Sequence, residues 1–137
     1  MSWQIEYLES ARTVVVKTSG LQDIAMARQI VSEAANLAAK FDAKRFLKDD
    51  RDSILELTAV EIYGFPKLLL EAGIPRDSRI AVIRNADSSQ AADFQFFKTR
   101  MYNEGVPDVR IFDDSRERAI AWLTEPPPPK TGLLPLP

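Results

Sequence analysis

Apolar and polar residues alternate over most of Trp3 to Leu8, Thr13 to Lys17 is a β-branched run, and only Glu9 to Arg12 lie between them. Two period-two segments joined by so short a loop predict a β-hairpin. The period then lengthens. Ile24, Ala27, Ile30, Val31, Ala34, Leu37, Ala38 and Phe41 recur every three or four residues behind Asp23, which is placed to accept the first free backbone N–H groups of a helix. Lys44 to Lys48 reads as a short third strand, with Asp49, Asp50 and Asp52 in a loop immediately past it. A second helix begins at Thr58, where the Thr-x-x-Glu spacing to Glu61 forms a capping box. Pro66 lacks an N–H and would clash with the carbonyl of Ile62, so a kink or break is expected near Gly64, and Gly73 suits a left-handed C-terminal cap.

Arg79 to Arg84 has a nearly continuous apolar centre, as in a strand buried on both faces of a parallel sheet, and is the candidate central strand. A third helix is expected from about Gln90 to Asn103, with Ala91, Phe94, Phe97 and Met101 facing inward, and Val109 to Phe112 is the fifth strand. Asp114 to Glu117 opens a last short helix whose Trp122 packs onto the sheet. The order ββαβαβαβα predicts an α/β domain with a mixed, mainly parallel five-stranded sheet flanked by about four helices. Residues 1–123 form this domain; residues 124–137 are a tail whose four consecutive prolines favour an extended polyproline II conformation. Leu133, Leu134 and Leu136 make that tail a candidate homodimer contact.

A chain of 137 residues with 45% apolar content suffices for one core. Lys plus Arg total 18 against 20 Asp plus Glu, which leaves no basic excess to draw the chain to nucleic acid or an anionic membrane. No apolar run is long enough for a bilayer span and the N-terminus has no signal-peptide pattern, so a soluble cytoplasmic protein is expected. The absence of both histidine and cysteine excludes Ser-His-Asp triads, Cys-His dyads, thiolate zinc sites and disulfides.

Taken together, the element order, the stretch RFLKDD, the helix TAVEIYGFPKLLLEAGIPRDSRIAVI, the segment DFQFFKTRMYNEG and the terminal VRIFDDSRERAIAWL resemble the SpoIIAA-like branch of the STAS domains, relatives of anti-sigma-factor antagonists. The resemblance runs from about Trp3 to Leu123. It implies a single STAS-like domain with a non-catalytic role in protein or small-ligand recognition. In such regulators a serine in an Asp-Ser-Ser-Gly-like loop, at the start of the helix after the third strand, is phosphorylated. Here the equivalent stretch, Asp50 to Thr58, contains no Ser-Ser-Gly, and several residues separate Ser53 from the helix that Thr58 caps.

Acids at the carboxyl end of a parallel strand lie where open α/β sheets bind ligands. Asp49, Asp50 and Asp52 therefore raise an alternative, a Mg²⁺-dependent enzyme or phosphoacceptor. The complementary acids after the second strand and the lysine after the fifth that a receiver would bring are missing, since those strands end in Thr18-Ser19-Gly20 and Phe112-Asp113-Asp114. Ser53 and Thr58 are candidate phosphorylation sites, although turns and helix caps explain such residues equally. Phe94, Phe96, Phe97 and Tyr102 raise a further alternative, a carrier of a small apolar ligand, which needs a pocket of at least about 300 Å³. The expectation adopted is a binding protein, not an enzyme, without cofactor or metal. Its partner or ligand surface runs along the carboxyl edge of the sheet from Asp49 to Thr58, with the second helix and the Asn85 to Ser89 loop, and its candidate residues are Asp49, Asp50, Asp52, Ser53, Thr58, Asn85 and Ser88.

Overall fold

β1 (Ser2–Leu8) and β2 (Thr13–Gln22) pair antiparallel from Ser2 opposite Ser19 to Leu8 opposite Thr13, as the alternation predicts. The computed structural model describes residues 2–84, 107–113 and 115–126. The hairpin turn is a 3-10 turn, Glu9–Ala11, closed by Arg12 at φ 48°. Its Ala11 carbonyl accepts from the Thr13 hydroxyl (2.8 Å) and from the Arg45 guanidinium (3.0 Å).

β2 runs straight into α1 (Ile24–Phe41), where the Asp23 carboxylate accepts from the Met26 N–H at 2.9 Å. Ala27, Ile30, Ala34, Ala35 and Ala38 form its buried face over β1 and β2. Phe41, expected in the core, is 44% exposed and stacks on Tyr7 with ring centroids 4.1 Å apart. Tyr7 belongs to β1, the edge strand of the sheet among the described residues.

The second helix breaks where expected. α2 (Ala59–Tyr63) carries the complete Thr58–Glu61 capping box, Gly64 intervenes, and α3 (Phe65–Ala72) takes Pro66 into its first turn, where no N–H is needed. Gly73 closes α3 at φ 97°. β3 (Arg45–Leu55), β4 (Arg79–Arg84) and β5 (Asp108–Asp113) follow parallel to β2, giving the order β1-β2-β3-β4-β5. β4 is an interior strand between β3 and β5, and its Ala81, Val82 and Ile83 are buried as its apolar centre predicts; β3 is the middle strand of the five.

Alternation along the strands divides the core between two faces. Val14, Val16, Phe46 and Val82 pack toward α1 and α3, while Val15, Leu47, Ala81, Ile83 and Phe112 pack toward α4 (Arg116–Thr124) through Ala119, Trp122 and Leu123. Arg79 ties down the end of α4 by donating to the carbonyls of Trp122 and Glu125, both at 2.8 Å, and Arg110 lies 4.9 Å over the Trp122 ring. The third helix expected at 90–103, its aromatic residues, Asn85, Ser88 and most of the proline-rich tail lie outside the described residues.

One expectation is corrected. The aspartates are not in a loop, because β3 continues through them to Leu55, and β2 continues beside it to Gln22. Asp49 points to the α4 face and is only 2% exposed. A carboxylate there needs partners, and Arg51 supplies three bonds: backbone N–H at 3.2 Å, Nε at 2.9 Å and Nη2 at 2.7 Å. Burial pushes this carboxyl up, but the bonds from Arg51, its charge and that of Lys17 outweigh burial and hold Asp49 below the usual aspartate value.

Arg51→Met should accordingly cost about 2 kcal/mol at neutral pH, the loss for a broken buried pair discounted because Arg51 is a third exposed. A depressed carboxyl stabilises the fold above its unfolded value, and that contribution is lost as the pH falls through the folded value. Urea unfolding of wild type and variant should converge as the pH falls from about 7 to below the usual aspartate range. A difference independent of pH would show that the Asp49 charge is not what Arg51 supports.

Candidate functional site

The carboxyl end of the sheet is shaped by an irregularity between β2 and β3. Lys17 faces Asp49, but Ser19 faces Asp52, so β3 has one residue more than β2 around Thr18. A bulge of this kind reverses the side on which every later residue points. Phe46, Lys48 and Asp50 face α1 before it; Ser53 and Leu55 share that face after it, paired with Gly20 and Gln22. Asp50 and Ser53 thus both meet Thr18.

Asp50 is 3% exposed and both its oxygens are occupied. Thr18 Oγ1 donates to Oδ1 at 2.6 Å and Lys48 Nζ donates to Oδ2 at 2.9 Å. A hydroxyl has one proton, so Thr18 accepts in its contact with the Ser53 hydroxyl, and Ser53 donates. Lys48 Nζ also donates to Gln22 Oε1 at 2.7 Å. The chain Ser53, Thr18, Asp50, Lys48, Gln22 is a continuous polar network on the α1 face. Its ion pair is neutral overall, and a lone carboxylate there would be costly.

The network forms one end of a cavity of about 110 Å³ between the sheet and α1 to α3, whose remaining walls are apolar, among them Ile30, Phe46, Leu69 and Val82. That volume is below the pocket of at least about 300 Å³ expected for a carrier of a small apolar ligand.

The residues singled out by sequence therefore separate. Asp49 serves Arg51 on the α4 face, Asp50 serves Lys48 on the α1 face, and Asp52 is exposed. Ser53 is half-buried against Thr18, and Thr58 is exposed with its hydroxyl accepting from the Glu61 N–H at 3.2 Å. A phosphate on Ser53 would lie beside the Asp50 carboxylate and break the network. Among the described residues no group of three or more acidic, histidine or cysteine side chains could hold a metal ion, and no helix is long and apolar enough to cross a membrane.

Sequence reasoning missed Thr18, Gln22 and Lys48; it placed the partner surface from Asp49 to Thr58 and on the second helix but did not single out the apolar residues there or Leu21. Among the described residues β2 and β3 stay paired past Ser2 and Arg84 as a ribbon in which Leu21 pairs with Ile54. Leu21 and Ile54, with Val60 and Tyr63 of α2, are each more than half exposed.

No protein-family model matches the chain, and no curated protein gives a significant match. Solved structures do. The Bacillus cell fate determinant SpoIIAA in its phosphorylated form is 15% identical, with 88% of this chain and 98% of that chain covered and a TM-score of 0.53. An uncharacterized DUF3478-family protein with a SpoIIAA-like fold from Shewanella loihica PV-4 is 19% identical, with 89% and 92% covered and a TM-score of 0.52. The anti-sigma factor antagonist SpoIIAA in its unphosphorylated form, 19% identical with 88% and 96% covered, reaches 0.49. On the first two of these, the chain has a SpoIIAA-like STAS fold.

Proposed function

We propose that this chain is a non-catalytic recognition domain that acts through a different protein, held on the outer face of the β2–β3 ribbon and on α2. The observation that carries the reading is the cross-strand pair Leu21 and Ile54, each more than half exposed on the outer face of the ribbon; Val60 and Tyr63 of α2, the helix that follows β3, are exposed as well. Exposed Asp52 and Glu56 flank Ile54 on the same ribbon and its exit, so the matching partner presents an apolar anchor bordered by basic side chains. SpoIIAA, a Bacillus cell fate determinant with the same fold, supports a regulatory rather than a catalytic role. Neither candidate phosphorylation residue is needed for this reading. Ser53 is engaged with Thr18, and Thr58 is committed to its cap.

The acidic-site alternative draws no support from the geometry. Two of its three carboxylates are saturated by protein donors and face opposite sides of the sheet. Calorimetric titration with Mg²⁺ should give no saturable heat, and acetyl phosphate with Mg²⁺ should leave the intact mass unchanged. Micromolar Mg²⁺ binding abolished by Asp50→Ala would replace the recognition reading with a metal-dependent one.

A photo-crosslinking residue placed at Ile54 or Val60 in cells should capture the same polypeptide, whereas one at the exposed Arg28 of α1 should not. With that partner purified, Leu21→Asp should weaken binding about thirtyfold, as for the centre of an interface, without changing the melting temperature by more than a few degrees. Equal capture from Arg28, no capture, or capture only of a second copy of the chain would sink the proposal.

A further inference from the structure

Gln22 is 1% exposed and lines the cavity beneath the ribbon. Its Oε1 accepts from Lys48 Nζ, which fixes the orientation of the amide, because an ammonium group donates only and could not face the Gln22 NH₂. The Nε2 group is thereby turned from Lys48 and has no hydrogen-bond partner among the described residues. A buried donor left in this way is unfavourable unless something accepts from it. Lys48, which is partly exposed, gives two of its three protons to Gln22 and Asp50 and has a third to offer. The polar end of an otherwise apolar cavity therefore offers donors, while both Asp50 oxygens are already taken.

Charge narrows the occupant further. Lys48 and Asp50 cancel, so a buried carboxylate or phosphate would bring an uncompensated negative charge, whereas a neutral oxygen acceptor would not. Size narrows it again. A cavity of about 110 Å³ is somewhat smaller than the apolar cavity of about 150 Å³ that accepts benzene.

We propose that the cavity between the sheet and α1 to α3 is a binding site for one small neutral carbonyl compound, a ketone or ester of about six non-hydrogen atoms. Its oxygen accepts from Gln22 Nε2 and from the third proton of Lys48, and its apolar body lies against Ile30, Phe46, Leu69 and Val82. Nothing covalent is involved. The site stands apart from the outer face of the ribbon, so it holds or fails independently of the partner proposed above.

The probe is cyclopentanone, with cyclopentane as the hydrocarbon of similar shape, read by the side-chain ¹H–¹⁵N signals of Gln22 and by melting temperature. Cyclopentanone should shift the Gln22 amide signals saturably, and bind about tenfold or more tightly than cyclopentane, since only the ketone satisfies the donors. Gln22→Leu, which keeps the side chain's bulk and removes the donor, should abolish this preference while leaving a folded protein. Should that variant fail to fold, Gln22→Met, which also lacks the donor and keeps an unbranched side chain, should reduce the preference in the same way. Equal affinity for ketone and hydrocarbon, no saturable shift, or long-lived water contacts to the Gln22 NH₂ that persist at saturating ketone would overturn the proposal.

Discussion

The carboxyl half of this domain depends on one buried carboxylate being fully engaged. Asp50 sits in the middle strand with a charge that water cannot reach, and it is tolerable there only because Lys48 and Thr18 each take one of its oxygens. Lys48 reaches it because residues two apart on a strand share a face. Thr18 reaches it because β2 and β3 stay paired past the point where the acids would otherwise end the sheet. The bulge then lets Ser53 join Thr18, so the network fixes the register of everything that follows.

That register sorts the ribbon's residues onto two surfaces. Gln22 and Leu55 turn inward to close the cavity, and their neighbours Leu21 and Ile54 turn outward into solvent. The two surfaces are the two sides of the same pair of strands, a single sheet layer thick. Any displacement that re-seats Gln22 and Leu55 moves Leu21 and Ile54 with them. The N-cap at Asp23 limits such displacement from one end, since α1 begins directly after Gln22, and the Glu56 N–H bonded to the Gln22 carbonyl at 2.8 Å limits it from the other.

Features with local causes were legible in the sequence. The hairpin follows from alternation, α1 from its period and Asp23, the α2 start from the Thr58–Glu61 spacing, and the break at Gly64 from Pro66. The resemblance to SpoIIAA-like STAS domains led to the right fold. What could not be read was the continuation of β3, because Lys48-Asp49-Asp50-Arg51-Asp52-Ser53 has the composition of a solvated loop. The partner that makes Asp50 acceptable, Thr18, lies 32 residues earlier, and no local pattern announces it. The bulge hides the rest, since Ile54 and Leu55 stand on the faces opposite to those an unbroken alternation from Phe46 would assign.

The same sheet geometry decides what the three aspartates cannot do together. Paired-carboxylate chemistry requires two carboxyl groups converging on one substrate, roughly 5–10 Å apart, with one held protonated by its surroundings. Adjacent residues of a strand point to opposite faces, so Asp49 and Asp50 are separated by the sheet itself. Each has its own cation on its own side, Arg51 on the α4 face and Lys48 on the α1 face. For Asp49 the result is a carboxyl held below its ordinary value, the reverse of what a general acid needs. Asp52, exposed on the ribbon past the bulge, is the one acid of the three left facing solvent, and its position beside Ile54 suits it to the rim of a contact surface rather than to chemistry.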